Sequence, residues 1–202
     1  MAVSRSPEEL AEILRTLSNG TALVVKMGGA NYADNYFSAL ATILRDYVME
    51  THGNAIYVSV TNPASLLVDL LSSMDIPTSD VFFVDVTSYM MVAHAKRNPN
   101  TSYVESPTML ETIMLRVEYL LQKVKSQKKI VVIDSIGSLA IHNNTAILSE
   151  FLHILVNTLK STGAITILLS VAEETVPELD NILSLVCDQS VVFSSAGGGS
   201  GQ

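Results

Sequence analysis

Lys129-Ile-Val-Val-Ile-Asp-Ser-Ile-Gly-Ser-Leu139 is the stretch of this chain that says most about its fold. It begins with an unbroken apolar run that ends in an acid, and such runs are typical of strands buried on both faces of a sheet. Apolar residues at helical spacing follow at 145–161, and the next apolar run is 164–170. Strands that alternate with helices in this way pair in parallel, because each return to the same sheet edge needs a crossover.

The same alternation extends through most of the chain. Strands are predicted at 21–27, 55–60, 81–86 and 190–193, and helices after Ser6-Pro7, from about Ala33 to Gly53, after Asn62-Pro63, after Ser106-Pro107 and at 177–185. Residues 87–105 break the pattern and are predicted to form the longest irregular connection. The sequence therefore predicts an α/β fold, a three-layer, doubly wound, mostly parallel sheet with helices on both faces.

Length and composition indicate a single domain. The chain has 202 residues, 48% of them hydrophobic, which suits one substantial core. We expect this domain to cover 1–193 and the Gly- and Ser-rich residues 194–202 to form a flexible tail or linker. Cys187 is the sole cysteine, the N-terminus has no secretory pattern, and no apolar run has the length of a membrane span. A cytoplasmic protein without a membrane partner is expected.

The net charge of −8 argues against a nucleic-acid partner, because phosphate contacts need clustered Lys and Arg. The basic residues that do cluster are Lys123, Lys125, Lys128 and Lys129. They lie where a helix is predicted to end, and cations are favoured at that end of the helix dipole. A solvated helix terminus is the predicted role of this cluster.

Residues Gly28-Gly-Ala-Asn-Tyr-Ala-Asp-Asn-Tyr36 lie where nucleotide-binding α/β proteins carry a phosphate loop. The motif G-x-x-x-x-G-K-[ST] needs its second glycine for close backbone approach, its lysine for the outer phosphates and its hydroxyl for magnesium. Aligned from Gly29, those positions hold Asp34, Asn35 and Tyr36. An acid thus replaces the glycine beside the phosphates, and a phenol replaces the small magnesium ligand.

The order of elements, and above all Asp134-Ser135 at the end of an apolar strand, resembles the RecA/KaiC-like branch of P-loop ATPases. The resemblance covers roughly 17–193 and extends to an archaeal group of KaiC-like domains with degenerate phosphate loops. It implies a RecA-like fold, side-by-side assembly, and a role for Asp134 in positioning magnesium and its water. An aspartate at a strand end also commonly caps the next turn, so both roles stay open for Asp134, whereas Asp85 is predicted to be a turn cap.

The family's general base is a glutamate at the end of the second strand, where this chain has Thr61 and Asn62. Neither accepts a proton from water, and Asn62 before Pro63 is predicted to be a helix N-cap. Lys26 lies within the preceding strand and is not expected to face the loop. We therefore assign no catalytic and no metal-binding residue. The remnant nucleotide-site positions are Gly28, Gly29, Asn31, Asp34, Asn35, Tyr36, Thr61, Asn62 and Asp134.

The favoured hypothesis is a pseudo-ATPase: an inactive RecA/KaiC-like domain that regulates, signals or scaffolds through homo-oligomers or a protein partner. Asp34 with Tyr32 or Tyr36 is expected to fill its site, and no cofactor is expected. The alternative is a nucleotide sensor or weak NTPase that binds ATP and magnesium through Asp134 with Glu173 or Glu174. A DNA-associated recombinase relative is disfavoured by the negative charge.

Overall fold

The computed structural model describes residues 4–28, 32–88, 99–171 and 177–195. Its sheet has eight strands in the order β1-β8-β2-β7-β6-β3-β4-β5, and every pairing is parallel. The strands are β1 Ser4–Arg5, β2 Ala22–Met27, β3 Asn54–Ser59, β4 Val81–Asp85, β5 Thr101–Tyr103, β6 Lys129–Asp134, β7 Ile165–Val171 and β8 Gln189–Phe193. The predicted parallel α/β sheet is confirmed.

Helices cover both faces of the sheet, which confirms the predicted three layers. One face carries α1 Pro7–Thr16, α2 Tyr32–Ala41, a π-helical segment Thr42–Met49 and α3 Ala64–Ser73, all packed into one apolar core. The other face carries α4 Leu110–Lys123, α5 Ile136–His142, α6 Thr145–Ser161 and α7 Pro177–Val186, which form a second core. Among the described residues, no helix combines the length and the apolar character needed to cross a bilayer.

Local sequence signals account well for several element ends. Ser6 caps α1 through a capping box, in which its hydroxyl accepts from the Glu9 amide and its own amide donates to the Glu9 carboxylate at 2.9 Å. At the end of α4, Lys129 donates from Nζ to the Leu121 carbonyl at 3.0 Å. That contact agrees with the predicted helix-terminal role of the basic cluster.

The prediction that Asn62 caps α3 is wrong. The N-cap position is Pro63, which offers no side-chain bond. The first free amide of the helix, on Ala64, instead donates to Asp85 Oδ2 at 2.8 Å. Asp85 is 1% exposed and its other oxygen accepts from the amides of Thr87 and Ser88 at 2.9 Å each. The predicted turn cap at Asp85 is thus confirmed, and the same carboxylate also caps a helix.

Other elements differ from the sequence-based expectation. The predicted irregular connection 87–105 contains β5, whose Thr101 pairs with Phe83 at the sheet edge. The predicted single helix from Ala33 changes at Thr42 into a π-helical segment, and the Thr42 hydroxyl donates to the Ser38 carbonyl at 2.9 Å there. Such back-bonding by threonine commonly accompanies a disturbed helix geometry. Most apolar side chains of α2 and of the π-helical segment still face the core, although Phe37 is 37% exposed.

Candidate functional site

The carboxyl ends of β2, β3 and β6 meet at one edge of the sheet, below the start of α2. Ser59 pairs with Asp134 across β3 and β6, and Tyr57 pairs with Val132 two positions earlier. Because strand residues two apart share a face, Tyr57 and Asp134 lie on the same side of the sheet. That side carries α2, which brings Tyr36 to the same place.

Two tyrosine hydroxyls bind the carboxylate of Asp134. Tyr36 donates to Asp134 Oδ2 at 2.6 Å, and Tyr57 donates to the same oxygen at 2.5 Å. The hydroxyl oxygens of the two tyrosines are 3.3 Å apart. Within the described part of the chain, Asp134 Oδ1 is buried and has no hydrogen-bond partner. We call Tyr36, Tyr57 and Asp134 the tyrosine–aspartate cluster.

Burial governs the protonation of this cluster. Loss of solvent raises the pKa of the Asp134 carboxyl, and the hydrogen bonds from Tyr36 and Tyr57 only partly oppose that change. Burial and the neighbouring carboxylate raise the pKa of both tyrosine hydroxyls well above the usual value. The phenols therefore remain protonated donors throughout the physiological pH range.

Asn35 replaces the phosphate-loop lysine and is bound on both sides. Its Nδ2 donates to the Gly28 carbonyl at 2.8 Å. Its Oδ1 accepts from the Ser195 amide at 2.7 Å and from the Ser195 hydroxyl at 2.8 Å. The side chain is 2% exposed. Asn35 therefore bridges the end of β2, the first turn of α2 and the residues that follow β8.

The positions of the missing general base lie beside the cluster. Asn62 lines the same cleft as Tyr36, and its side chain partly opposes the rise in the pKa of the Tyr36 hydroxyl. Thr61 Oγ1 lies 2.8 Å from Ser138 Oγ and 3.5 Å from Ser135 Oγ. Ser135 is the N-cap of α5 and follows Asp134 through a cis peptide bond. Because Ser135 provides that cap and Asp134 binds phenols, the turn-capping interpretation of Asp134 is wrong.

A cleft of about 310 Å³ opens next to Tyr36. Its walls are largely apolar, and the lining residues are Ala33, Tyr36, Phe37, Thr61, Asn62, Leu66, Leu67 and Leu70. Thr61 and Asn62 supply its polar end. Tyr36 therefore contributes to the wall of the cleft and also binds Asp134 through its hydroxyl.

The structure brings most of the predicted site residues together. Tyr36 binds Asp134 and lines one cleft with Thr61 and Asn62, whereas Asn35 and Gly28 form a separate contact through the Gly28 carbonyl. Asp34 is exposed and takes no part, so the expectation that it fills the site is wrong. Gly29, Asn31, Glu173, Glu174 and the Tyr32 side chain lie outside what the structure describes. Assignment of the described positions to a nucleotide site stays a prediction.

Sequence reasoning missed Tyr57, Ser138 and Ser195. A tyrosine inside a buried strand needs a partner for its hydroxyl, and that requirement was the available signal for Tyr57. Ser195 was assigned to the flexible tail, yet it binds Asn35, and Ser194 donates from its amide to the Arg5 carbonyl at 3.0 Å. Nothing in the composition of 194–202 indicates these contacts.

Lys26 is directed away from the tyrosine–aspartate cluster, as predicted. Its Nζ lies 2.8 Å from Asp180 Oδ1 on α7, which packs on the opposite face of the sheet from α2. Lys26 is therefore no substitute for the loop lysine. Among the described residues, no group of three or more His, Cys, Asp and Glu side chains is arranged to hold a metal ion.

Comparison with known proteins gives the family. Residues 43–193 match the family model described as the KaiC ATPase, and the match begins after Tyr36. No curated protein sequence matches the chain. The KaiC-like protein PH0186 of Pyrococcus horikoshii OT3 superposes with a TM-score of 0.60 at 18% identity, over 86% of this chain and 71% of that one. PH0250 of the same organism gives a TM-score of 0.63 at 12% identity, over 96% and 90% of the respective chains. The fold is shared with both, and on the family match this chain belongs to the KaiC ATPase family.

Proposed function

We propose that this KaiC-family domain does not hydrolyse nucleotide and acts as a regulatory, signalling or scaffolding module through association with other protein chains. One observation carries the first part of the proposal. The Tyr36 hydroxyl, at the position of the loop's magnesium-binding Ser or Thr, binds the carboxylate of Asp134 directly at 2.6 Å.

That contact replaces the arrangement that the reaction needs. In P-loop NTPases the loop Ser or Thr and the Walker B aspartate together hold Mg²⁺, so the ion and its water would need the space between these two side chains. Here the phenol of Tyr36 spans that distance, and the Tyr57 hydroxyl takes a second bond to the same oxygen. The residues present therefore do not fit a magnesium–nucleotide complex in the described arrangement.

Two further replacements support the proposal. Asn35 carries no charge to offset the outer phosphates, and its amide is already committed to Gly28 and Ser195. Thr61 and Asn62 cannot act as general bases at neutral pH. Each change alone would slow phosphoryl transfer, and they affect phosphate binding and water activation separately.

Turnover of ATP and GTP with magnesium tests the inactivity directly. We expect the wild type and Asp134→Ala to give the same background rate. A rebuilt loop, with Asp34→Gly, Asn35→Lys and Tyr36→Ser combined, supplies the matched positive control for nucleotide binding. Magnesium-dependent turnover by the wild type that disappears in Asp134→Ala would refute the proposal.

A calorimetric titration separates the proposed module from a nucleotide sensor. ATP, ADP and cyclic dinucleotides are expected to give neither heat nor a thermal shift with the wild type. Binding of any one of them, lost in Asp134→Ala, would establish the sensor instead.

Protein association is the second part of the proposal, and exposed apolar side chains on several helices support it. Ile147 and Ile154 on α6 are 59% and 44% exposed, and Leu115 on α4 is 61% exposed. Sedimentation over a range of concentrations tests the association. We expect a complex larger than the monomer, formed either by this chain alone or together with a partner protein.

We further propose a cytoplasmic location, from the cysteine usage, and no nucleic-acid partner, from the net charge of −8. DNA binding that weakens with salt would contradict the latter.

A further inference from the structure

We propose that the groove between α4 and α6 is a docking site for a basic, amphipathic helix of a partner protein. This inference rests on the association part of the proposed function and adds the chemistry of the partner. It concerns the face of the sheet opposite α2, so the groove is separate from the tyrosine–aspartate cluster.

The groove is long enough for a helix. One stretch has a volume of about 200 Å³ and is lined by Leu110, Glu111, Met114, Ile147, Glu150, Phe151 and Ile154. The next stretch, of about 450 Å³, is lined by Glu118, Leu121, Gln122, Lys129, Thr158 and Thr162. The two stretches follow the same pair of helices. At 1.5 Å per residue, the lining of α4 from Leu110 to Gln122 extends for about 18 Å, close to the length of a short helix.

The apolar side chains of the groove exceed what the core requires. The core face of α6 is already formed by Leu148, Leu152 and Leu155, which are fully buried. Ile147 and Ile154 lie two helical turns apart on the neighbouring stripe and stay largely exposed. Single exposed apolar residues are common, but these two line the same groove as Met114 of α4. Exposed apolar side chains that share one stretch of a groove in this way, which we call the apolar strip, are typical of a protein contact.

The charges along the groove determine the partner's chemistry. Glu111 and Glu150 flank the apolar strip, and Glu118 lies further along it. Among the described lining residues the cation is Lys129, and its Nζ is bonded to the Leu121 carbonyl. The groove therefore presents carboxylates beside apolar side chains. Its complement is a helix with apolar residues at i, i+3, i+4 and i+7 and with Lys or Arg at the flanks.

A synthetic peptide tests this site with the full chain. The probe is a capped, roughly 16-residue helix with leucines on one face and lysines on the other. One control peptide carries glutamate in place of lysine, and another carries two central prolines that prevent helix formation. Binding is measured by fluorescence anisotropy. We expect the basic peptide to bind with a Kd in the micromolar range, more weakly at high salt, and neither control peptide to bind.

Matched variants locate the binding. The double substitution Ile147→Ser with Ile154→Ser is expected to raise the Kd of the basic peptide at least about tenfold. The double substitution Glu111→Gln with Glu150→Gln is expected to raise this Kd several-fold and to make the Kd less dependent on salt. Leu185→Ser on α7, which removes an apolar side chain that is 84% exposed outside the groove, is expected to leave the affinity unchanged.

Several results would overturn the inference. One is that the basic peptide does not bind the wild type. Another is that the glutamate peptide binds as tightly as the basic peptide, and a third is that the isoleucine double variant binds the basic peptide as tightly as the wild type does. If the isoleucine pair instead converts a wild-type oligomer into a monomer, the occupant is a second copy of this chain and the basic helix is wrong. Nucleotide turnover by the wild type would refute the proposed inactivity while leaving the peptide result intact, so the two failures are distinguishable.

Discussion

Tyr36→Phe is expected to destabilise the domain through the loss of one hydroxyl. The substitution keeps the buried ring, which lines the cleft, and so creates no cavity. It removes the donor at 2.6 Å from Asp134 Oδ2. Asp134 is 1% exposed and its other oxygen has no partner among the described residues. After the change, Tyr57 alone binds this buried carboxylate.

The magnitude follows from the kind of bond that is lost. A hydrogen bond to a charged group contributes about 1.5–3 kcal/mol, and water cannot replace this one because the site is buried. The free energy of unfolding should therefore fall by about 2 kcal/mol. With a urea dependence of about 1–3 kcal/mol per molar, the midpoint falls by roughly 1 M.

Urea unfolding followed by circular dichroism measures this change at pH 7. Tyr47→Phe is the matched control, since Tyr47 is also buried and lies in the adjoining π-helical segment but outside the tyrosine–aspartate cluster. The control should change the free energy of unfolding by less than about 0.5 kcal/mol. If Tyr36→Phe is as mild as Tyr47→Phe, the bond to Asp134 does not hold the site closed.

Three further changes test the contacts around the site. Burial raises the pKa of Asp134 in the folded state above its value in the unfolded state. The contribution of the protonated Asp134 to the free energy of unfolding is therefore complete below the unfolded-state pKa and is lost as the pH rises through the folded-state pKa. As the pH is lowered from 7, the urea midpoint of the wild type should therefore rise relative to that of Asp134→Asn. A difference between the two midpoints that does not change with pH would contradict the raised pKa. Asp85→Ala leaves three amides without their acceptor and should lower the unfolding free energy by at least about 3 kcal/mol in thermal or urea unfolding. Asn35→Ala should cost about 1–2 kcal/mol and speed hydrogen exchange at the Ser195 amide, whereas unchanged exchange would show that the contact is not maintained in solution.

Elements with a complete local signal could be predicted from the sequence. The helix predicted at 145–161 matches α6, because its apolar spacing runs unbroken between Asn144 and Gly163. The capping box at Ser6 needs only residues within one turn. The three-residue strand β5 could not be predicted, since its partly buried residues show no alternation and it is defined only by pairing with β4.

The cap of α3 shows the same limit at a single residue. The local sequence offers Asn62 as the cap, yet the Ala64 amide is bound by Asp85, which lies 21 residues beyond Ala64 at the end of β4. Tertiary contacts override a local preference of about 1 kcal/mol when a buried carboxylate can bind several amides at once.

At the site, residue identities were predictable but their contacts were not. Tyr36 and Asp134 each stood out by position in a motif. Their bond depends on the placement of α2 next to the end of β6, which brings together residues 98 positions apart in sequence. Tyr57 joins the cluster because β3 pairs with β6, and the apolar pattern of its strand does not predict that pairing.

Two of the three substituted loop positions, Asn35 and Tyr36, act together, although they bind different parts of the fold. Tyr36 connects the first turns of α2 to the end of β6, and Asn35 connects them to Gly28 and to Ser195 beyond β8. Restoring one position therefore leaves the other contact in place. Tyr36→Ser alone should still fail to bind ATP in calorimetry, because Asn35 continues to hold Gly28 and supplies no charge to the phosphates. Binding by that single variant as tight as by the rebuilt loop would show that Tyr36 alone closes the site and that Asn35 has no part in it.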